Sequence, residues 1–516
     1  MDPNSGHPRR WTILGVLVFS LLAVVLDNTI LNVAMKTIAD ETAGLGATQS
    51  ELEWAINSYT LVFAGLLFTF GMIGDRTGRK RMLFIGMAMF GLASLASAYS
   101  QDPMQLILAR AAMGIGAAAI MPATLAIISN VFPPHERGKA IGVWAGGVGL
   151  AVAIGPITGG LLIEHFWWGS VFLINVPIVV IGMILIATIV PESRDPKPSR
   201  LDLLGVVLSI IGLVAIVYGI IRGGELATVA SAEVLAPTLL GLAVLGVFVW
   251  WERRIDNPIF DVRSFANARF SSAIGMMGIV FFAMMGGMFF LTFYLQIVLG
   301  FTPLQAGALM IPFAAAQLIF APLSPRVNER FGAKLAASVS LVVLTAVLAS
   351  YAFMDQNTPV LLIEVVFFIQ GAAMANIMPP ATTAIMESLP REKAGVGSAM
   401  SNTVRQVSGA LGVAVLGSVL SAGYRGEIAP ALAGLPAEAQ HSAGESIMAT
   451  MGVAEALGDR GQALVKPAIA AFIDGMHVTA LVTAVIALLG VAVVARWMPG
   501  KARPIMQAEK KEPAVV

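Results

Sequence analysis

Apolar residues run along this chain in stretches mostly 17 to 26 residues long, each closed by a short burst of glycine, proline or charge. That length suits helices crossing a hydrocarbon core roughly 30 Å thick and exceeds the strands of about ten residues found in membrane barrels. The pattern predicts helices over 11–34, 54–72, 82–99, 104–129, 139–163, 171–190, 203–222, 235–251, 270–299, 303–324, 335–354, 360–386, 395–420 and 476–498. Fourteen spans put both termini on one side, and lysine and arginine decide which. With the N-terminus in the cytoplasm, 25 of the 32 basic residues fall in cytoplasmic segments. Lys36, Arg222, Arg425, Arg460 and Lys466 then fall outside, and Arg110 and Arg405 lie within spans. Both termini are therefore expected to be cytoplasmic. Arg9 and Arg10 precede the first apolar run, but that run is too long for a signal-peptide core and no small-x-small cleavage site follows, so it is expected to stay attached.

Composition agrees with lipid as the solvent. Apolar residues make up 57% and charged residues 12% of the chain, against about 45–50% and about 25% in soluble proteins. A compact soluble fold of this size has too much surface to hide so much apolar side chain. A formal charge of +1 gives no field for nucleic acid. The absence of cysteine removes disulfides, thiolate metal sites and cysteine nucleophiles. Five histidines, with no HExxH and no close pair, give no metal or cofactor site.

The two halves repeat. DRTGRK at Asp75–Lys80 aligns with ERFGAK at Glu329–Lys334; Met113-Gly114 with Pro122 aligns with Gln370-Gly371 with Pro379; PHERGKA from Pro134 aligns with PREKAGV from Pro390. The offsets stay between 254 and 257, and repeated halves with a substrate path between them are typical of secondary transporters. Six spans per half need a shorter period, so the spans 203–222 and 235–251 are read as an inserted hairpin.

Three strings carry a family resemblance. GMIGDRTGRKRML, Gly71 to Leu83, resembles the signature loop of the major facilitator superfamily through Asp75, Arg76 and Gly78. AVAIGPITGG, Ala151 to Gly160, resembles that superfamily's antiporter motif through Gly155, Pro156, Gly159 and Gly160, with Ala151 in place of its first glycine. LDNTILNVAMKTI, from Leu26, resembles the first-helix signature of the fourteen-span drug:proton antiporters, the group holding quaternary-ammonium and EmrB-type multidrug exporters, with Met35-Lys36 replacing the usual Leu-Pro. The resemblance covers essentially the whole chain. It implies an all-α integral membrane protein with the major facilitator fold: an N-terminal six-helix bundle over 1–190, an inserted two-helix hairpin with its flanking loops over 191–262, and a C-terminal six-helix bundle over 263–516. A further external hairpin is expected near 421–475. The Asp75–Arg76–Gly78 loop acquires a gating role by resemblance.

An ionisable side chain inside a span costs on the order of 2.5–3.5 kcal/mol on insertion scales, so each one is a functional candidate. Asp27, Arg110, Glu364 and Arg405 qualify. Asp27 and Arg110 lie at similar depths in spans that run in opposite directions, so they are expected to pair, either as a static clamp or as a proton switch. In the resembled family the first-helix acid and the fourth-helix arginine hold the coupling roles. Glu364 is a second candidate for proton or cation coupling and an expected partner for Arg405. Asn402, Arg405 and Gln406, together with Asn57 and Tyr59, are the candidate polar groups of the cavity. In the ninth span Met288, Phe289 and Phe293 are candidate substrate contacts, because aromatic faces attract organic cations and methionine adapts to varied shapes.

These readings lead to one expected function: a proton-driven antiporter exporting amphipathic, cationic drugs or antibiotics from the bacterial cytoplasm. It is expected to work as a monomer in the cytoplasmic membrane, without cofactor or nucleotide, since no GxxxxGK[ST] loop is present. A symporter of a small organic nutrient is the alternative, disfavoured by the Gly155-Pro156 motif. An intramembrane enzyme is a further alternative, disfavoured by the lack of any clustered nucleophile and base.

Overall fold

The computed structural model describes residues 6–194, 202–226, 228, 230–255, 258, 262–388 and 394–497. Thirteen helices among the described residues are long and apolar enough to cross a membrane. The first half holds α1 (Arg10–Ala39), α2 (Gln49–Thr77), α3 (Arg79–Ala98), α4 (Pro103–Val131), α5 (Pro134–His165) and α6 (Ser170–Ile189). Of these, α5 is a 32-residue helix standing outside the thirteen, which makes a fourteenth of spanning length. Next come α7 (Leu203–Leu226) and α8 (Ala232–Glu252). The second half holds α9 (Ala268–Val298), α10 (Pro303–Phe320), α11 (Ala333–Ser350), α12 (Val360–Glu387), α13 (Ala394–Leu432) and α14 (Gln462–Trp497).

Local chemistry explains most of the boundaries. Thr48 caps α2 in a box with Glu51, Asp102 accepts from the Gln105 amide with Pro103 at the first helical position of α4, and Thr302 with Gln305 repeats the box on α10. Gly78 and Gly332 turn the chain into α3 and α11 at φ of +126° and +86°, a region open to glycine and closed to most side chains. These two glycines belong to the aligned DRTGRK and ERFGAK strings, so the repeat extends to backbone conformation. It extends to packing as well: Gly114 of α4 lies against the Tyr59 carbonyl of α2 as Gly371 of α12 lies against the Phe313 carbonyl of α10.

Several helices differ from the expected spans. α1 continues past 34 to Ala39 because Met35 and Ile38 are buried and Lys36 finds a partner. α2 begins at Gln49, so Glu53, expected before the second span, lies inside the helix. α13 runs on to Leu432, and Ala437–Glu445 and Ile447–Ala456 follow as short helices before α14. Within the 421–475 segment, 421–432 and 462–475 thus continue α13 and α14 beyond the expected span ends.

The halves meet along two main seams, α2 with α13 and α5 with α10, and α1 also touches α9. α7 and α8 pack on each other, and α7 lies across the α2–α13 seam, where Gly65 receives Ile210 and Gly224 abuts Ser418. Large apolar side chains such as Leu108, Ile184, Leu239, Leu361 and Leu489 are exposed, as lipid-facing surfaces require.

Candidate functional site, a cavity between the halves

Asp27 and Arg110 are each 1% exposed and form an ion pair, Arg110 Nη1 donating to Asp27 Oδ2. Arg110 Nε also donates to the Ala55 carbonyl at 3.1 Å, and its guanidinium lies over the Tyr59 ring at 4.4 Å and the Phe172 ring at 5.9 Å. Asp27 Oδ1 accepts from Asn175 Nδ2 at 3.3 Å, and the same amide donates to Ser94 Oγ at 3.1 Å. Four helices of the first half therefore hold this pair, with α6 bringing Asn175 to it. A buried pair is kept by such extra hydrogen bonds, because desolvation of both charges otherwise outweighs their attraction.

A cavity of about 200 Å³ opens beside the pair, between the halves. α1 contributes Val24, Val25, Asn28, Thr29, Leu31 and Asn32; α4 contributes Arg110 and Met121; α5 contributes Pro156. The second half contributes Phe281, Met284, Met285, Met288, Met310, Phe313, Phe367, Gln370, Arg405 and Gln406. Asp27 itself does not line it, so Arg110 stands between the carboxylate and the cavity. Arg405 faces in from the opposite half, donates from Nη1 to Asn402 Oδ1 at 3.4 Å and lies 4.5 Å from the Phe281 ring, while its Nε has no partner. Gln370 lines the wall and accepts from Tyr351 Oη at 2.6 Å.

The remaining expected residues fall into clear places. Gln406 and Met288 line the cavity, and Asn402 supports Arg405. Tyr59 lies beneath the Arg110 guanidinium and accepts from Asn28 Nδ2 at 3.2 Å. Asn57 is fully buried outside the cavity lining, with neither amide atom hydrogen-bonded. Phe289 and Phe293 pack edge-on against each other, with ring centroids 5.4 Å apart, and do not line the cavity. They sit roughly a quarter-turn or more round α9 from the centre of the Phe281, Met284, Met285, Met288 stripe, at about 100° per residue. Glu364 lies in the second turn of α12 beside exposed Leu361, Leu362 and Val365, and forms no ion pair with Arg405.

The antiporter-like string sits at a triple junction. A Cβ on Gly155 would fall 1.8 Å from Thr29 Oγ1, Gly159 abuts Ile30, and Gly160 meets the Leu304 backbone. On the other side Gly307 of α10 rests on the Pro156 carbonyl. The small residues thus let α5 approach both α1 and the second half. Near the other end, Asp75 accepts from Arg79 Nε at 2.7 Å, the Lys80 amide donates to Glu192 Oε1 at 3.1 Å, and the Arg79 amide donates to the Ser193 carbonyl at 2.9 Å. Gly78 is closed in by the Glu192 carboxylate. These bonds tie the loop to the segment after α6, within the first half; Arg76 stands on the exposed last turn of α2.

One closing contact was hidden from sequence reading. α9 ends in a π-turn, Tyr294–Val298, which frees backbone carbonyls. Lys36 Nζ donates to the freed Gln296 carbonyl at 2.9 Å, and Gln296 Nε2 donates back to the Val33 carbonyl at 3.0 Å. Nothing in the local sequence marks the π-turn.

Twelve helices of membrane length in two halves of like packing, with a further pair between them in the chain, enclose a largely apolar cavity and define a polytopic membrane transporter. Residues 17–413 match the family described as Major Facilitator Superfamily, and the chain belongs to that superfamily. It is 33% identical to multidrug efflux pump LfrA of Mycolicibacterium smegmatis over 94% of this chain and 96% of the relative. Methyl viologen resistance protein SmvA of Salmonella typhimurium is 35% identical over 94% and 97%. Puromycin resistance protein pur8 of Streptomyces alboniger is 34% identical over 80% and 82%. Among solved structures, an inward-facing bacterial homologue of the human lysosomal transporter spinster superposes with a TM-score of 0.66 at 19% identity, covering 96% of this chain and 99% of that one.

Proposed function

We propose that this protein is a proton-coupled antiporter that exports amphipathic organic cations, antibiotics among them, across a bacterial cytoplasmic membrane. The observation that carries the reading is the Asp27–Arg110 pair, buried directly behind the wall of an apolar, methionine-rich cavity. Three relatives named for efflux or resistance support the outward direction. Both termini face the cytoplasm in this reading, one chain suffices, and no cofactor takes part.

The geometry supports this reading of the coupling. In this reading Arg110 supplies the counter-charge to the Asp27 carboxylate; a cation in the cavity repels the guanidinium, and when Arg110 moves aside the freed carboxylate either binds that cation or takes a proton. Proton and cargo compete for one acid, so capture of one goes with release of the other. An inward proton contributes roughly 2.3 kcal/mol per 100 mV of potential. The test is Asp27→Asn in proteoliposomes, reading cargo-induced proton release and counterflow. Loss of coupled exchange with facilitated leak retained is expected; unchanged proton release sinks the proposal. Arg405, with its Nε unpartnered at the cavity, favours a second reading in which neutral or anionic cargo is also accepted. Proton release by neutral antibiotics, lost in Arg405→Met, would establish it.

A further inference from the structure

A second pocket, about 390 Å³, lies away from the central cavity at the expected outer face. Its walls come from the start of α2, the end of α7, α13 and the short helix Ala437–Glu445. Four carboxylates line it, Glu51, Glu53, Glu225 and Glu445, against the guanidinium groups of Arg222 and Arg425. Arg222 is already engaged by Glu225 and Glu233. Arg425 is turned to the Gly444 and Glu225 carbonyls. The charge left facing the pocket is negative.

Glu53 separates this pocket from an ordinary acidic surface. It is 2% exposed, one oxygen accepts from Gln49 Nε2 at 3.3 Å, and the other, Oε2, has no partner. Its carboxylate is pressed against α13, where a Cβ on Gly417 would come within 2.2 Å of Oε1. A carboxylate that is buried, aimed at a cavity and left half-satisfied costs free energy unless something cationic meets it there. Burial also raises the Glu445 carboxyl above its ordinary value, as a second acid in the same low-dielectric pocket would show. No group of three or more His, Asp and Glu among the described residues is placed to hold a metal ion, and a volume of about 390 Å³ has room for an organic cation.

We propose that this pocket is a second binding site, for organic cations arriving at or leaving the outer face, with Glu53 as its counter-ion and the end of the inserted α7 as the wall that completes it. The site stands apart from Asp27 and Arg110, so it does not depend on the exchange mechanism proposed above.

The natural chain has no cysteine, so a bimane fluorophore on His441→Cys, whose parent side chain is 81% exposed at the pocket's rim, is the sole label. The full chain in lipid nanodiscs is titrated with decamethonium, a bis-quaternary ammonium ion that neither gives nor takes a proton. A saturable change is expected, weakened about tenfold by Glu53→Gln. Asp27→Asn leaves the titration intact while removing coupled exchange, which separates the two proposals. A response that never saturates, or one shifted less than threefold by Glu53→Gln, overturns the site. Should Glu53→Gln not purify as a monodisperse protein, Ser50→Trp, which fills the pocket from the first turn of α2, takes its place: loss of the response supports the site and survival of it refutes it.

Discussion

Replacing Lys36 by methionine is expected to loosen the contact that ties α1 to α9. The Nζ bond to the Gln296 carbonyl is 2.9 Å long and half-buried, and it joins helices from opposite halves. A hydrogen bond to a charged donor is worth about 1.5–3 kcal/mol. If that contact exists only while the halves are closed at this end, its loss shifts the closed-to-open ratio by roughly 10- to 150-fold, at about 1.4 kcal/mol for each factor of ten. The Gln296 bond to Val33 remains, so the shift falls short of complete opening. Electron–electron resonance distances between spin labels on Glu41→Cys and Gln356→Cys read the change. Both positions are exposed in loops at the expected outer face, one in each half, and the cysteine-free background carries no other label. Wild type should give one short distance population, and Lys36→Met a second, longer one. Identical distributions in the two proteins would refute the argument that this bond holds the closed end.

The buried pair makes a directional stability prediction. Arg110→Met strands a carboxylate that does not reach the cavity, at a cost of about 3–5 kcal/mol, whereas Asp27→Asn leaves Arg110 its Ala55 carbonyl, the Tyr59 ring and the cavity, at about 1–3 kcal/mol. The double variant should cost clearly less than the sum in denaturant unfolding from detergent; strictly additive penalties would contradict a coupled pair. A pH prediction comes from Asp40 after α1, whose carboxyl is held below its ordinary value by the amide of Ala43 and by Thr42. A depressed value means the contribution is full above the unfolded carboxylate value and is lost as pH falls through the lower, folded one. Amide exchange at Thr42 and Ala43 should therefore stay slow, after correction for intrinsic rates, down to about pH 4 and lose protection below it, and Asp40→Ala should remove that dependence.

Sequence periodicity was sufficient for the number and order of helices, because each must carry enough apolar length to cross lipid, and that requirement is written in every stretch separately. Helix ends were less legible. Lipid demands apolar length only across its core, and helices such as α1, α2 and α13 continue beyond it under other rules: a Thr48–Glu51 capping box, burial of Met35 and Ile38, the run to Leu432. The error at α2 mattered most, since a start at Gln49 moves Glu53 from a loop into a buried seam.

Site residues divide along the same line. Asp27 and Arg110 are visible because a charge inside an apolar run is costly wherever it points, and the cost alone marks it. Asn175, Gln370 and Gln296 are uncharged amides whose importance depends on which helix faces them, and no single stretch records that. Glu364 shows the converse: the residue is charged and falls within an expected span, yet its place in the second turn of α12 puts it among exposed leucines and away from Arg405. Cost of insertion depends on depth, and depth comes from where the helix begins. Glu53 and Glu364 both lie in the second turns of helices that start at the expected outer face, so their insertion costs from sequence are alike. Only the packing of α13 and α7 over the first of them turns an interfacial carboxylate into a buried one, and a sequence scan cannot see that cover.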